Sequence, residues 1–402
     1  MKKHLLTVFA AALVACYASA DVWMQRLPDN AYLDQLSIPG THDSATGNGT
    51  TLDSFAQTQE LTVSEQFGAG IRAFDLRPSV DGNDLKIYHG VVPTELSFSE
   101  AMGELCRLLD ENPSEFVVVI MRHEDDHEST EEKALWNGLM AQYLASPDLS
   151  DRLVKFNRNL TVGDMRGKIL LLSRDRYADK PLGGFINNWT HSPEFAEQSK
   201  ATITGESSRY TSKLCVQDFY ETNNAMDTKL ASLTALLNHS VNITTSAGRQ
   251  WVINHTSGYS ASLFATADAY RKNAASTNPA VIDYLADESH AGPTGLIMMD
   301  FAGVDKSGLY EVAGLRLINS VIDNNFRYDM LGAPVNSVSE VSGSDNAKLH
   351  TTSNGEICGS GLIELFTLDG TLVATGVDLV SVSIPGIYIA VCGADTLKVV
   401  VR

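Results

Sequence analysis

The strongest constraint on this chain is a recurrence. Short, mostly apolar runs bounded by turn residues alternate with longer stretches of helical spacing through most of its 402 residues. The runs 71–76, 116–121, 169–172, 214–217, 251–254 and 296–299 are too short for stable helices, and their apolar character suits strands buried on both faces of a parallel sheet. Segments 98–109, 131–144, 228–237 and 315–322 carry the helical period between them. Asn112-Pro113-Ser114 and Gly292-Pro293 supply turns entering strands. This alternation predicts an α/β barrel, with a doubly wound open sheet as the alternative. From about Val335 the helical period disappears, and short runs at 362–368, 372–375, 387–391 and 397–401 alternate with Gly and Asp turns. They predict a small C-terminal all-β sandwich, joined by the Ser-rich linker 336–346.

The N-terminus reads as a targeting segment. Lys2 and Lys3 precede an apolar run over 5–15, and Ala18-Ser19-Ala20 offers a cleavage site before Asp21. The expected organisation is therefore a signal peptide at 1–20, a barrel at 21–333 and the β-domain at 334–402. Leu13-Val14-Ala15-Cys16 also fits a lipoprotein signal acylated at Cys16, so export to the medium or cell surface competes with anchoring in an outer membrane. The remaining cysteines, Cys106, Cys215, Cys358 and Cys392, lack CxxC spacing, which argues against a zinc site.

A formal net charge of −19 repels nucleic acid and anionic bilayers alike. A lipid-facing function must then rest on apolar and aromatic contacts. Polar residues close or follow nearly every predicted strand: Asp75 and Arg77, Arg122 and Glu124, Arg174, Asp218 and Tyr220, His255, and Asp300. In a barrel these positions meet at the C-terminal mouth. His42 and His89, with Arg77 and the carboxylates, form the set that in-line attack on a phosphodiester needs: one imidazole takes the nucleophile's proton, the other protonates the leaving oxygen, and the guanidinium holds the phosphate.

The run Ser37-Ile38-Pro39-Gly40-Thr41-His42-Asp43-Ser44 is followed by Gly70-Ile71-Arg72-Ala73-Phe74-Asp75-Leu76-Arg77 and Tyr88-His89-Gly90. Together they resemble the X domain of bacterial phosphatidylinositol-specific phospholipase C. The likeness continues through Arg166 to Arg174, Val216 to Tyr220 and Met298 to Phe301, in the family's order. It implies a distorted TIM-like barrel and a lyase-type phosphodiesterase that yields diacylglycerol and a cyclic inositol phosphate. By the resemblance His42 is the general base, oriented by Asp300; His89 is the general acid, supported by Asp43; and Arg77 binds the phosphate. Arg174, Asp218 and Tyr220 match headgroup positions, with Arg122, Glu124 and Trp189 as weaker matches. Asp75 matches a supporting carboxylate. Arg77 stands where calcium-dependent animal relatives act through a cation, so the resemblance implies no metal and no cofactor. Where Arg122 stands the family commonly has lysine, which bears on substrate preference. The other histidines, His191 and His255 among them, gain no role from the resemblance and read as structural.

The segment Pro385 to Val391 and the ending Leu397 to Arg402 resemble the C-terminal sorting domain of the type IX secretion system, implying contact with secretion machinery at a Gram-negative cell surface. The implied partner of the barrel is a membrane phospholipid, met peripherally. Two other functions compete: a phosphodiesterase for another phospholipid headgroup, and a non-catalytic module that binds inositol lipids or glycans.

Overall fold

The structure, a computed structural model, describes residues 22–191, 201–222, 225–260, 266–333, 349–351, 356–367, 370–381, 386–393 and 395–401. The leader at 1–20 and the linker at 336–346 lie outside these residues. Contacts divide the chain into two compact units, Met1–Ala333 and Pro334–Arg402.

The first unit contains twelve strands: β1 (Ser37–Thr41), β2 (Ala73–Leu76), β3 (Pro78–Asp81), β4 (Asp84–His89), β5 (Val92–Ser97), β6 (Val117–Met121), β7 (Ile169–Ser173), β8 (Gly184–Asn187), β9 (Thr202–Thr204), β10 (Thr211–Gln217), β11 (Trp251–His255) and β12 (Gly295–Met299). Nine of them close into a barrel in the order β1-β12-β11-β10-β9-β8-β7-β6-β2, while β3, β4 and β5 form a separate antiparallel sheet. The α/β barrel expected from the alternation is therefore the fold. Strands β6, β7 and β12 are buried at every position, as continuous apolar runs require.

Three barrel strands were not read from the sequence. Strand β1 contains Pro39-Gly40, a pair that strands rarely hold, yet Pro39 lies near the barrel seam, where β1 meets β2 only through Gly40↔Ala73 and Thr41↔Phe74. There it accepts from the Arg72 amide at 3.0 Å and needs no N–H of its own. Gly40 is required by space, because a Cβ would stand 2.5 Å from Met298 Sδ and 2.8 Å from Ala73 Cβ. Strands β8 and β9 are short, and β9 runs antiparallel to both β8 and β10, breaking the all-parallel expectation.

Helices Phe98–Glu111 and Thr130–Leu144 start at capping boxes, Ser97 with Glu100 and Ser129 with Glu132. Phe98, Ala101, Met102, Leu105, Leu108 and Leu109 form the buried stripe of the first. At the N-terminal ends of β2 and β6, Arg72 and Glu115, both fully buried, pair at 2.9 Å, and the Arg72 guanidinium also donates to the carbonyls of Phe67 and Ile71. That end of the barrel is closed by structure, leaving the opposite end for chemistry.

The second unit is all-β. Strands β13 (His350–Thr351), β14 (Ile357–Thr367), β15 (Leu372–Val380), β16 (Gly386–Cys392) and β17 (Asp395–Val401) form one antiparallel sheet. Its core is small and includes Ile357, Ile363, Leu365, Tyr388, Ala390 and Val399. Among the described residues, no helix is long and apolar enough to cross a membrane.

Candidate active site

His42 follows β1 directly, and its amide donates to the Met299 carbonyl at 3.0 Å, extending the β1–β12 pairing by one step. That step places it beside Asp300, the residue after β12. His42 Nδ1 donates to Asp300 Oδ1 at 2.9 Å, which fixes the tautomer and leaves Nε2 for chemistry. Gln59 fastens the two strand ends together, its amide donating to the carbonyls of His42 at 2.9 Å and Met299 at 2.8 Å.

Asp43 takes the left-handed conformation, with φ 44°, and this turns its carboxylate back into the site. Its Oδ2 lies 3.2 Å from His42 Nε2 and 3.5 Å from His89 Nε2, so one carboxylate spans both imidazoles. His89 closes β4 and donates from Nδ1 to the Ala56 carbonyl at 2.6 Å. The two histidine rings are 6.4 Å apart and nearly perpendicular. Arg77 Nε meets Asp43 Oδ1 at 2.9 Å, while its Nη2 meets Asp75 Oδ2 at 2.8 Å. His42, Asp43 and Asp75 are the one group among the described residues whose spacing suits a metal. An ion there would have to share both carboxylates with the Arg77 guanidinium.

His42, Arg77 and His89 open onto a cavity of about 250 Å³, also lined by Arg122, Glu124, Arg174, Asp218 and Tyr220. The Glu124 carboxylate accepts from the Gly90 amide at 3.1 Å and faces Arg122 Nε at 3.4 Å. Trp189 donates its indole N–H to Asp218 Oδ2 at 2.7 Å, and the Arg174 guanidinium lies 4.1 Å over the Trp189 ring. The structure thus brings all eleven sequence-selected residues to one mouth. Others stand there without having been selected: Asp126, His191, Tyr259 and Tyr270 line the cavity, and His255 lies just behind it. His191 Nδ1 is 2.8 Å from Asp218 Oδ2, and the His255 ring is 5.9 Å from that of His42. Reading both histidines as merely structural is therefore corrected. His255 did carry a signal, since it ends an apolar run like the others. His191 sits in a loop with no motif.

Burial alone would push the His42 imidazole down, but Asp43 and Asp300 hold it up to about 9. Burial also opposes ionisation of Asp75 and Asp218, yet Arg77 holds the first, and His255 with His191 and Arg174 the second, well below the usual carboxylate range. Burial pushes Glu124 up against Arg77 and Arg122. It pushes His255 down to about 3, so that ring stays neutral.

No protein-family profile matches the chain. Among curated proteins, a 1-phosphatidylinositol phosphodiesterase of Listeria monocytogenes is 34% identical over 229 residues, covering 54% of this chain and 67% of that protein. The chain belongs to the bacterial 1-phosphatidylinositol phosphodiesterase family. A second member, from Staphylococcus aureus, is 28% identical over 162 residues and is spanned over 51% of its length. The solved phosphatidylinositol-specific phospholipase C of Listeria monocytogenes superposes with a TM-score of 0.54 at 26% identity, covering 76% of this chain and 98% of that one. The Staphylococcus aureus enzyme, a F249X mutant, gives a TM-score of 0.60 at 22% identity over 76% of this chain and 99% of that one, a likeness of fold.

In this member of the phosphodiesterase family, the raised proton affinity of His42 has a thermodynamic consequence. Its folded value, about 9, lies above the ordinary 6.5, so the native state binds the proton more tightly than the unfolded chain does. The resulting stabilisation is fully present below pH 6.5 and is lost as pH rises through about 9. The expected loss from this group is about 3 kcal/mol. Urea unfolding of the wild type and His42→Asn across that range should show the wild type losing more stability by this amount, and parallel pH profiles would contradict the assignment.

Proposed function

We propose that this chain cleaves phosphatidylinositol without a metal ion, by attack of the inositol 2-hydroxyl on phosphorus. Diacylglycerol leaves and a cyclic inositol phosphate remains. The observation that carries this reading is the Asp43 carboxylate set between the two imidazoles and Arg77, in a member of this family. In the empty site Asp43 occupies the Nε2 face of His42. An entering hydroxyl takes that place, weakening the contact that holds the proton and freeing His42 to act as base, while Asp300 stabilises the cation that forms. Protonated His89 keeps one N–H on the Ala56 carbonyl and passes the other proton to the diacylglycerol oxygen. The proton count balances: one leaves the hydroxyl and one reaches the leaving group. Arg77 meets the charge building on the non-bridging oxygens. Arg174, Asp218 and Tyr220, with Arg122, Glu124 and Trp189 around them, supply donors, acceptors and an aromatic face for the ring hydroxyls.

The membrane contact is peripheral, and exposed Leu52 and Phe55 beside Ala56, with Val91 beyond Gly90, give the mouth an apolar fringe. Release of diacylglycerol from vesicles in EDTA tests the headgroup: phosphatidylinositol vesicles are expected to be cleaved and phosphatidylcholine vesicles left intact. Cleavage of the second alone, or of neither, would favour the other-headgroup or the non-catalytic reading.

Export belongs to the same proposal: residues 1–20 act as the leader and 334–402 as an address read by secretion machinery, on the strength of the motifs alone. Mass spectrometry of protein from an exporting Gram-negative host should find a mature chain starting at Asp21. An acylated Cys16 would establish the lipoprotein route instead.

A further inference from the structure

Tyr270 stands in the first turn of helix Ala267–Ala286, and its ring, 6% exposed, lines the cavity that holds the histidines. The ring is held from several sides. It lies 5.8 Å from the His89 ring and 5.7 Å from Tyr259. It also packs in a cluster with Ala274, Val312 and Phe301, the residue after Asp300.

The turn carrying it is anchored as well. Arg271 pairs with Glu60 at 2.9 Å and Asp305 at 3.1 Å, and Asn273 donates to the Thr256 carbonyl at 2.9 Å. Against this fixed surrounding, the Tyr270 hydroxyl makes no hydrogen bond to any other described residue. The oxygen is not among the fully buried unpartnered polar atoms of the described residues, so it is reached from the cavity the ring lines and is free to serve what enters.

The proton stays on this oxygen: burial first, then the Asp43 and Asp300 carboxylates, push the phenol far above its ordinary value. The group is therefore a donor at neutral pH.

We infer that Tyr270 is a further catalytic residue whose hydroxyl donates to a non-bridging oxygen of the substrate phosphate. The inference rests on the phosphodiesterase reading above. Arg77, tied to Asp43 and Asp75, approaches the phosphate from the β2 side. Tyr270 comes from the helix after β11, next to the acid His89, and supplies a second donor to the other oxygen as charge develops there. A preorganised donor of this kind acts mainly on turnover rather than on binding.

Tyr270→Phe keeps the ring and its stacking and removes only the O–H. The full chain and this variant are assayed on phosphatidylinositol and on its two phosphorothioate diastereomers, each of which carries sulfur at one non-bridging position. The expected result is a drop of about 100-fold in kcat on the oxygen substrate with KM changed little, the usual scale for losing one such donor. For the diastereomer with sulfur facing Tyr270, where the hydrogen bond is already poor, wild type and variant should differ by only a few fold. The other diastereomer should show the full loss. Equal losses on all three substrates, or near-normal kcat on the oxygen substrate, would overturn the assignment. A wild type that cleaves none of them defeats the phosphodiesterase reading instead, so the two failures are distinguishable. Matching circular dichroism and thermal midpoints exclude a folding defect.

Discussion

His42→Ala and His89→Ala should each lower turnover of phosphatidylinositol by about two or more powers of ten, the range that a positioned general acid or base contributes. The two losses should not multiply in the double variant, because the base and the acid act in the same step and both contact the single Asp43 carboxylate between them. His42→Ala also removes the partner of Asp300 Oδ1, so circular dichroism and an unfolding curve accompany the rates. Near-normal activity in a folded single variant would remove that histidine from the mechanism.

Arg77→Lys is expected to cost about 100-fold or more in kcat although the charge is kept. Arg77 holds Asp43 through Nε and Asp75 through both Nε and Nη2, at 2.9 to 3.1 Å for the Nε contacts and 2.8 Å for the other. One ammonium cannot span the two carboxylates and still present a planar fork to phosphate. Lysine is the informative replacement, since alanine would take the guanidinium partner from two buried carboxylates, at a cost of about 3–5 kcal/mol in stability. Steady-state rates in EDTA with a parallel melt check it. Equal kcat for wild type and the lysine variant would mean that charge alone matters at this position.

Much of the architecture was legible because parallel strands buried on both faces leave a plain apolar signal, and six such runs became β2, β6, β7, β10, β11 and β12. Where local chemistry ran against the element, the signal failed. Pro39-Gly40 hid β1, and alternating threonines in a three-residue segment hid β9. Helix Ala267–Ala286 was missed for a different reason. It contains Pro279, and its buried face includes Arg271, Asn273, Thr277 and Asn278, so no apolar stripe marks it. Those polar groups are satisfied by partners far away in sequence: Asn278 donates to the carbonyls of Asp300 and Val312, and Arg271 reaches Glu60. No window of local sequence contains that information. Tyr270 was overlooked along with its helix.

The site residues were easier to find, because a barrel gathers whatever follows its strands. Each selected polar residue near a strand end needed only the barrel to bring it to the mouth. The conformations that make the cluster work were not legible. The left-handed Asp43 and the Gln59 bridge between strand ends depend on tertiary contacts.

Phosphorus NMR of phosphatidylinositol turnover in EDTA tests the central claim most directly, because the first product records the nucleophile. Attack by the inositol hydroxyl, with His42 taking its proton, His89 protonating the leaving oxygen and Arg77 in place of a cation, predicts a cyclic phosphodiester resonance that appears first and at full rate without divalent metal. A phosphate monoester as the first product would mean that water attacks, and restoration of activity only by an added divalent cation would mean that Arg77 does not carry the charge. Either result would contradict this account of the site.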